Sequence, residues 1–134
     1  NGIATQFGLN YKENRGRFFE NALALEFLRM TGFDTRLKLD YWKDSYGREV
    51  DFVLKTEGKV RLLVQSCVNL SDPQTGKREL DSIVRASEQL QCDNMLIVTQ
   101  DMDSSIEWSG KTVRVIPLWR YLISDPQDRI KSLF

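Results

Sequence analysis

Asp51 stands in an otherwise apolar run, and fourteen positions later a second apolar run ends in the triplet Gln65-Ser66-Cys67. Alternation along a strand puts Glu49 and Asp51 on one face, and Gln65 and Cys67 likewise on one face. Two adjacent strands of this kind are an economical scaffold for Mg²⁺-dependent hydrolysis of a phosphodiester. One strand supplies an acid, the next an acid-x-lysine triplet, and an acid from a preceding helix completes the shell. The chain has this layout in outline, with Glu20 as the helix acid. The second strand, however, brings an amide and a thiol where such a site wants an acid and a base.

The elements that must position these groups follow from periodicity. From Arg15 onward Phe19, Leu23, Phe27 and Met30 fall at helical spacing, with Ala22 and Leu25 beside the stripe. Asn14 reads as the N-cap of this helix and Gly32 as its stop. Residues 34 to 43 alternate as a half-buried strand, with Leu37, Leu39 and Tyr41 on one side. The turn DSYG leads to a second strand from Glu49 to Lys55, and the turn EGK to a third over 60–68. A helix opening at Gln74 or Thr75 then carries Leu80, Ile83, Val84 and Leu90. MLIVT at 95–99 and TVRVIPL at 112–118 make a fourth and a fifth strand, and Pro117 opens a short helix, LWRYLI.

A helix between the third and fourth strands permits a parallel crossover. The fold class expected is therefore α/β, a mixed central sheet of about five strands flanked by helices. Residues 1–14 read as a linker, 15–124 as the domain, and 125–134 as a tail in the form of a loose turn or a last helical piece.

Bulk properties narrow the chemistry. The 134 residues suit one domain, and 41% hydrophobic with 28% charged residues excludes wholesale disorder. Nineteen basic and nineteen acidic residues cancel, so overall charge does not itself argue for nucleic acid. There is no histidine, which removes the usual nucleophile–base pairs of acyl transfer and most transition-metal sites. Hydrolysis here would have to rest on carboxylates and a hard cation. Cys67 and Cys92 have no zinc or redox spacing and read as free buried thiols of a cytoplasmic protein. No apolar run is long enough for a membrane span, and the N-terminus is not a signal peptide. It also lacks an initiator Met, which reads as a fragment of a longer chain.

The stretches GRFFENALALEFLR, YWKDSYGREVDFV, LVQSCVNLSDPQTGKREL and VIPLWRYL resemble the C-terminal domain of a prokaryotic AAA-type ATPase family. That domain in turn resembles the PD-(D/E)XK, or restriction endonuclease-like, nuclease superfamily. The phrase EVDF behind an aromatic strand and a helix with Arg-x-x-Glu-Asn is its most specific part. The resemblance implies a restriction endonuclease-like sheet, and an ATPase domain with its ATP upstream. Position by position, Glu20 matches the helix acid, Asp51 the central aspartate, Gln65 the acid of the triplet and Cys67 its lysine.

Asp51 and Gln65 are then the positions that would hold Mg²⁺, and only an active site would need it. Gln65 offers a carbonyl oxygen but no charge. Cys67 in an apolar strand stays protonated and cannot place a cation near a phosphate. The resemblance therefore implies a degenerate site, in an accessory domain that binds nucleic acid or protein without catalysis of its own. A live nuclease would need a lysine from elsewhere, with Lys55 and Lys77 nearest in sequence. A third reading is an oligomerisation or regulatory module without nucleic acid.

Plainer roles stand beside these. Glu20 could pair with Arg17 or Arg78, and Gln65 could bond to backbone or to Asp51. Lys77, Arg78 and Glu79 read as a solvated helix start. Trp42, Trp108, Trp119, Tyr41 and Tyr121 are expected to pack on the sheet rather than to stack on bases.

Overall fold

A computed structural model describes residues 11–133, with side chains from residue 14 onward. The chain forms helix α1 (Tyr11–Phe33), strands β1 (Leu37–Lys43), β2 (Glu49–Thr56) and β3 (Lys59–Ser66), and helix α2 (Pro73–Leu90). There follow β4 (Met95–Thr99), β5 (Ser104–Trp108), β6 (Lys111–Pro117), and the short helices α3 (Leu118–Ile123) and α4 (Pro126–Lys131). One six-stranded mixed sheet runs in the order β1-β2-β3-β4-β6-β5. The pairs β1–β2, β2–β3 and β5–β6 are antiparallel, whereas β3–β4 and β4–β6 are parallel. The expected α/β class holds, and α2 is the expected crossover.

The strand missing from the sequence reading is β5. Its residues SSIEW lie at the sheet edge and are exposed or half-buried throughout, so no apolar period marks them. What marks them is the turn behind: Ser109 and Gly110 both have positive φ, at 50° and 77°. That backbone matches the twist of a tight hairpin, and Ser-Gly suits it. The β2–β3 turn is built the same way, from Glu57 and Gly58.

Each face of the sheet carries its own core. On one side α1, α3 and α4 pack Leu23, Phe27, Met30, Tyr121 and Ile130 against Phe52, Leu54, Leu62, Val64 and Leu96. On the other, α2 packs Leu80, Ile83 and Val84 against Val53, Leu63, Met95, Ile97 and Val115. The two middle strands β3 and β4 are apolar on both faces because both faces are covered.

The α1 stripe Phe19, Leu23, Phe27 and Met30 is buried as its spacing predicts. Leu25 is not beside the core: it is 65% exposed, on an outer surface with Phe18 and Leu28. The helix begins before Asn14, so Asn14 does not cap it, and Gly32 lies within its last turn. Of the expected linker, residues 11–14 are helical and 1–10 lie outside the described residues. The tail is helical and docked: Ile130 and Leu133 enter the α1 core.

Helix α2 starts one or two residues before the expected point. Asp72 is the N-cap, its carboxylate accepting from the Thr75 N–H at 3.0 Å, and Pro73 opens the first turn. Gly76 in that turn runs against the backbone of the preceding loop. A Cβ at this position would sit 2.6 Å from the Leu70 carbonyl oxygen. Helix propensity alone would favour Gly76→Ala by about 1 kcal/mol. The clash with backbone reverses the sign, and a net loss of about 1–3 kcal/mol is expected in urea unfolding.

Both edges of the sheet reach over to α2 through an indole. The Trp42 N–H donates to Gln89 Oε1 at 2.8 Å, and the Trp108 N–H donates to Asp81 Oδ1 at 2.9 Å. Trp119, in contrast, is 60% exposed on α3. Tyr41 is also exposed, against expectation.

Candidate functional site

The register of β1 on β2 slips beside Tyr41. Asp40 pairs with Val53, and Trp42 with Val50, so the single residue Tyr41 faces two, Asp51 and Phe52. This is a bulge in β2. It returns Val50 and Val53 to the same face, that of α2, while Tyr41 on β1 stays on the side of Leu37 and Leu39 and is exposed. Asp51 therefore sits at an irregular point of the strand, near the end where α1, α2 and β3 come close. A bulge of this kind re-aims a side chain, and a period-two reading of the sequence cannot see it.

Asp51 and Gln65 meet. The Asp51 N–H donates to Gln65 Oε1 at 2.8 Å. The Asp51 carboxylate turns to the next residue of the triplet and accepts from Ser66 Oγ at 2.9 Å and Ser66 N at 3.2 Å. Gln65, itself buried, points its amide at α2 and donates to Glu79 Oε2 at 2.5 Å. The chain of contacts is thus Ser66, Asp51, Gln65, Glu79. Glu79 was read as part of a solvated helix start. Its side chain is largely buried, and its place follows from how α2 crosses the end of β3, which no spacing in the sequence encodes.

Burial raises the Asp51 carboxyl above the usual range, opposed by its two Ser66 bonds, with Glu49 pushing it further up. Burial likewise raises Glu79, opposed by Gln65 and Arg78. Glu20, on the exposed side of α1, is raised by partial burial and then by Asp51 and Glu49. The Glu20 carboxylate thus lies within electrostatic reach of Asp51. Cys67 is buried against α2 just past β3, and its N–H holds Val98 O at 2.9 Å. Burial pushes its thiol up to about 11, helped by the Glu79 carboxylate.

Neither candidate lysine enters the cluster. Lys55 lies four residues along β2 from Asp51, roughly 13 Å away, and pairs with Asp40 at 3.0 Å. Lys77 is exposed on the first turn of α2. The cations lining the adjoining cleft of about 500 Å³ are Arg48 and Arg78. They are paired with Asp44 at 2.7 Å and Glu79 at 3.5 Å.

In this arrangement the residues do not fit a divalent cation. The Gln65 carbonyl is turned to backbone and the Asp51 carboxylate to Ser66. Among the described residues no three His, Cys, Asp or Glu side chains converge as a metal-binding group.

The raised Asp51 carboxyl has a consequence for stability. A carboxyl whose pKa is higher folded than unfolded binds its proton more tightly in the folded state. Stability is therefore greatest where the group is protonated and falls as pH rises through the interval above the ordinary carboxylate range. Asp51→Asn removes this penalty while keeping an oxygen for Ser66. Its urea midpoint is expected to exceed that of the parent at pH 7, and the difference to shrink as the pH approaches 4.

The family described as Domain of unknown function (DUF4143) matches residues 15–121, a span that contains Glu20, Asp51, Gln65, Cys67 and Glu79. The chain belongs to this family. A curated relative of this DUF4143 domain, "Uncharacterized protein MJ1544" of Methanocaldococcus jannaschii, is 29% identical over 124 residues. The match covers 88% of this chain and 27% of the relative, so the chain spans about a quarter of that protein's length. No solved structure matches the chain. Among the described residues no helix is long and apolar enough to cross a membrane.

Proposed function

We propose that this DUF4143 domain is a nuclease-like accessory module of a longer, cytoplasmic AAA-type ATPase, non-catalytic by itself and used to bind nucleic acid or a protein partner. The observation that carries the reading is the 2.8 Å bond from the Asp51 N–H to Gln65 Oε1. It brings the central acid and the triplet together at adjacent strand positions, as the PD-(D/E)XK layout requires. The amide that replaces the acid is used as a brace to Glu79. The triplet's last position is a neutral thiol. The nearby cations are arginines, which do not give up a proton near neutral pH and so cannot serve as a base.

Arginines do bind phosphates. Arg48 and Arg78 line the cleft beside Tyr46, which is 80% exposed and carries the Arg48 guanidinium 5.3 Å from its ring centre. A phosphate backbone and a stacked base would find partners there. The length of the archaeal relative leaves ample chain for an ATPase.

The test is incubation with duplex DNA and Mg²⁺ or Mn²⁺, run beside Asp51→Ala, with a gel shift at two salt concentrations. The expected result is no cleavage by either protein and DNA retention that weakens with salt. Cleavage that disappears in Asp51→Ala would replace this reading with a live nuclease. Absent retention, with a mass that grows with concentration in light scattering, would favour an oligomerisation module.

A further inference from the structure

Helix α1 carries two apolar stripes. The inner one, Phe19, Leu23, Phe27 and Met30, is buried on the sheet. The outer one is Phe18, Leu25 and Leu28, each between 56% and 65% exposed. With about 3.6 residues per turn, the two stripes lie on nearly opposite sides of the helix. A surface helix has one apolar side, and apolar stripes on two sides mark a helix that is covered on both.

The spacing of the outer stripe says what kind of element covers it. Positions 18, 21, 25, 28 and 32 follow the alternation of three and four that a packed pair of helices uses, and all five are exposed. Asn21 is the polar residue that fixes register in such a seam. Gly32 ends it with no side chain to hold a second backbone off. Beside the seam stand Arg15, Arg17, Ala22, Ala24, Arg29 and Thr31, so every charge at these positions is positive. Two copies of α1 laid antiparallel would set Arg29 against Arg15. Laid parallel, they would set Arg17 beside Ala22 and Arg29 beside Ala24. A second copy thus brings no opposite charge, whereas a helix with acids flanking its own apolar stripe does.

We propose that the outer face of α1 seats an acidic amphipathic helix from the remainder of the same longer chain. The match leaves about three quarters of the archaeal relative outside it, which is ample chain to supply such a helix. A stripe of three apolar side chains is too small to hold a free partner tightly. A segment tethered in the same chain needs less, because it meets the face at a high effective concentration. The inference rests on the proposed reading of the chain as one module of a longer protein, but not on what the rest of that protein hydrolyses.

The test is maleimide labelling of the full-length protein that carries this domain. Asn21→Cys places a thiol at the centre of the seam, and Lys59→Cys places one at an exposed turn of the same domain as a reference. Cys67 and Cys92 are buried and give a slow background. The thiol at position 21 is expected to react at least tenfold more slowly than the reference. Adding Arg17→Glu and Arg29→Glu together should bring the two rates within about threefold. The proposal is overturned if position 21 reacts as fast as the reference, a result that needs no charge reversal to fold. It is also overturned if the protection fades on dilution, which would make the occupant a second copy, or if it survives the charge reversal. ATP hydrolysis measured on the same preparation tests the proposed function separately: rapid labelling in an active ATPase sinks the docking alone.

Discussion

Arg129→Ala is expected to destabilise the protein by about 3–5 kcal/mol, the range found when one partner of a buried ion pair is removed. Glu26 on α1 and Arg129 on α4 stand 103 positions apart and are both almost fully buried. The guanidinium also donates to the carbonyls of Tyr121 and Ser124 and to Ser124 Oγ, and lies 4.6 Å from the centre of the Tyr121 ring. Truncation strips acceptors on three residues at once. Among the described residues Glu26 would keep only Arg29, at 3.1 Å and mostly in solvent.

Arg129→Lys should recover little, because a point charge cannot reach so many acceptors in different directions as a planar fork can. Replacing both partners with apolar residues of similar volume should cost far less than either single change. Urea midpoints of the two single variants and the double variant decide the matter. A loss under 1 kcal/mol for Arg129→Ala would mean that α4 is not anchored to α1.

Phe27→Ala should cost a comparable amount, about 3–5 kcal/mol. Its ring is wholly buried where α1 meets both the sheet and α3, 5.0 Å from the Phe52 ring and 5.9 Å from that of Tyr121. The tilted and edge-on contacts are lost together with the buried area. Leu25→Ala, two residues earlier on the exposed side, is the control, and it should stay within about 0.5 kcal/mol. The ratio between the two changes tests the rotational phase of α1 directly. Equal losses would place the helix about a quarter of a turn from where it is described.

That phase is the part of the fold most legible in the sequence. Phe19, Leu23, Phe27 and Met30 repeat at a period only a helix can satisfy, and all four are buried. The runs LLV and MLIVT read as strands covered on both faces, and so they are. The meeting of Asp51 with Gln65 was expected from the resemblance rather than from the turn, which alone would set Asp51 opposite Val64; the register shift between Leu54 and Lys55 brings Gln65 into place. Glu79 was not. It arrives by the angle at which α2 crosses the sheet, a tertiary quantity that leaves no period. The side of Tyr41 was legible, since Leu37 and Leu39 face one core and Trp42 the other, but its exposure was not, because cover over an edge strand is a tertiary quantity. Strand β5 escaped because an edge strand with few buried residues has no apolar pattern to offer, only the Ser-Gly turn at its end.

The two indoles that reach α2 from opposite edges give the protein a built-in optical gauge. Trp42 and Trp108 each end in a hydrogen bond to the same helix, whereas Trp119 faces water. Fluorescence from the first two responds to the seating of α2 on the sheet, and that of the third supplies a steady red-shifted background. With Trp119 silenced as phenylalanine, emission wavelength would follow whether a ligand in the cleft of Arg48 and Arg78, whose wall is formed by Glu79 and Ser82 of that helix, lifts α2 or leaves it in place.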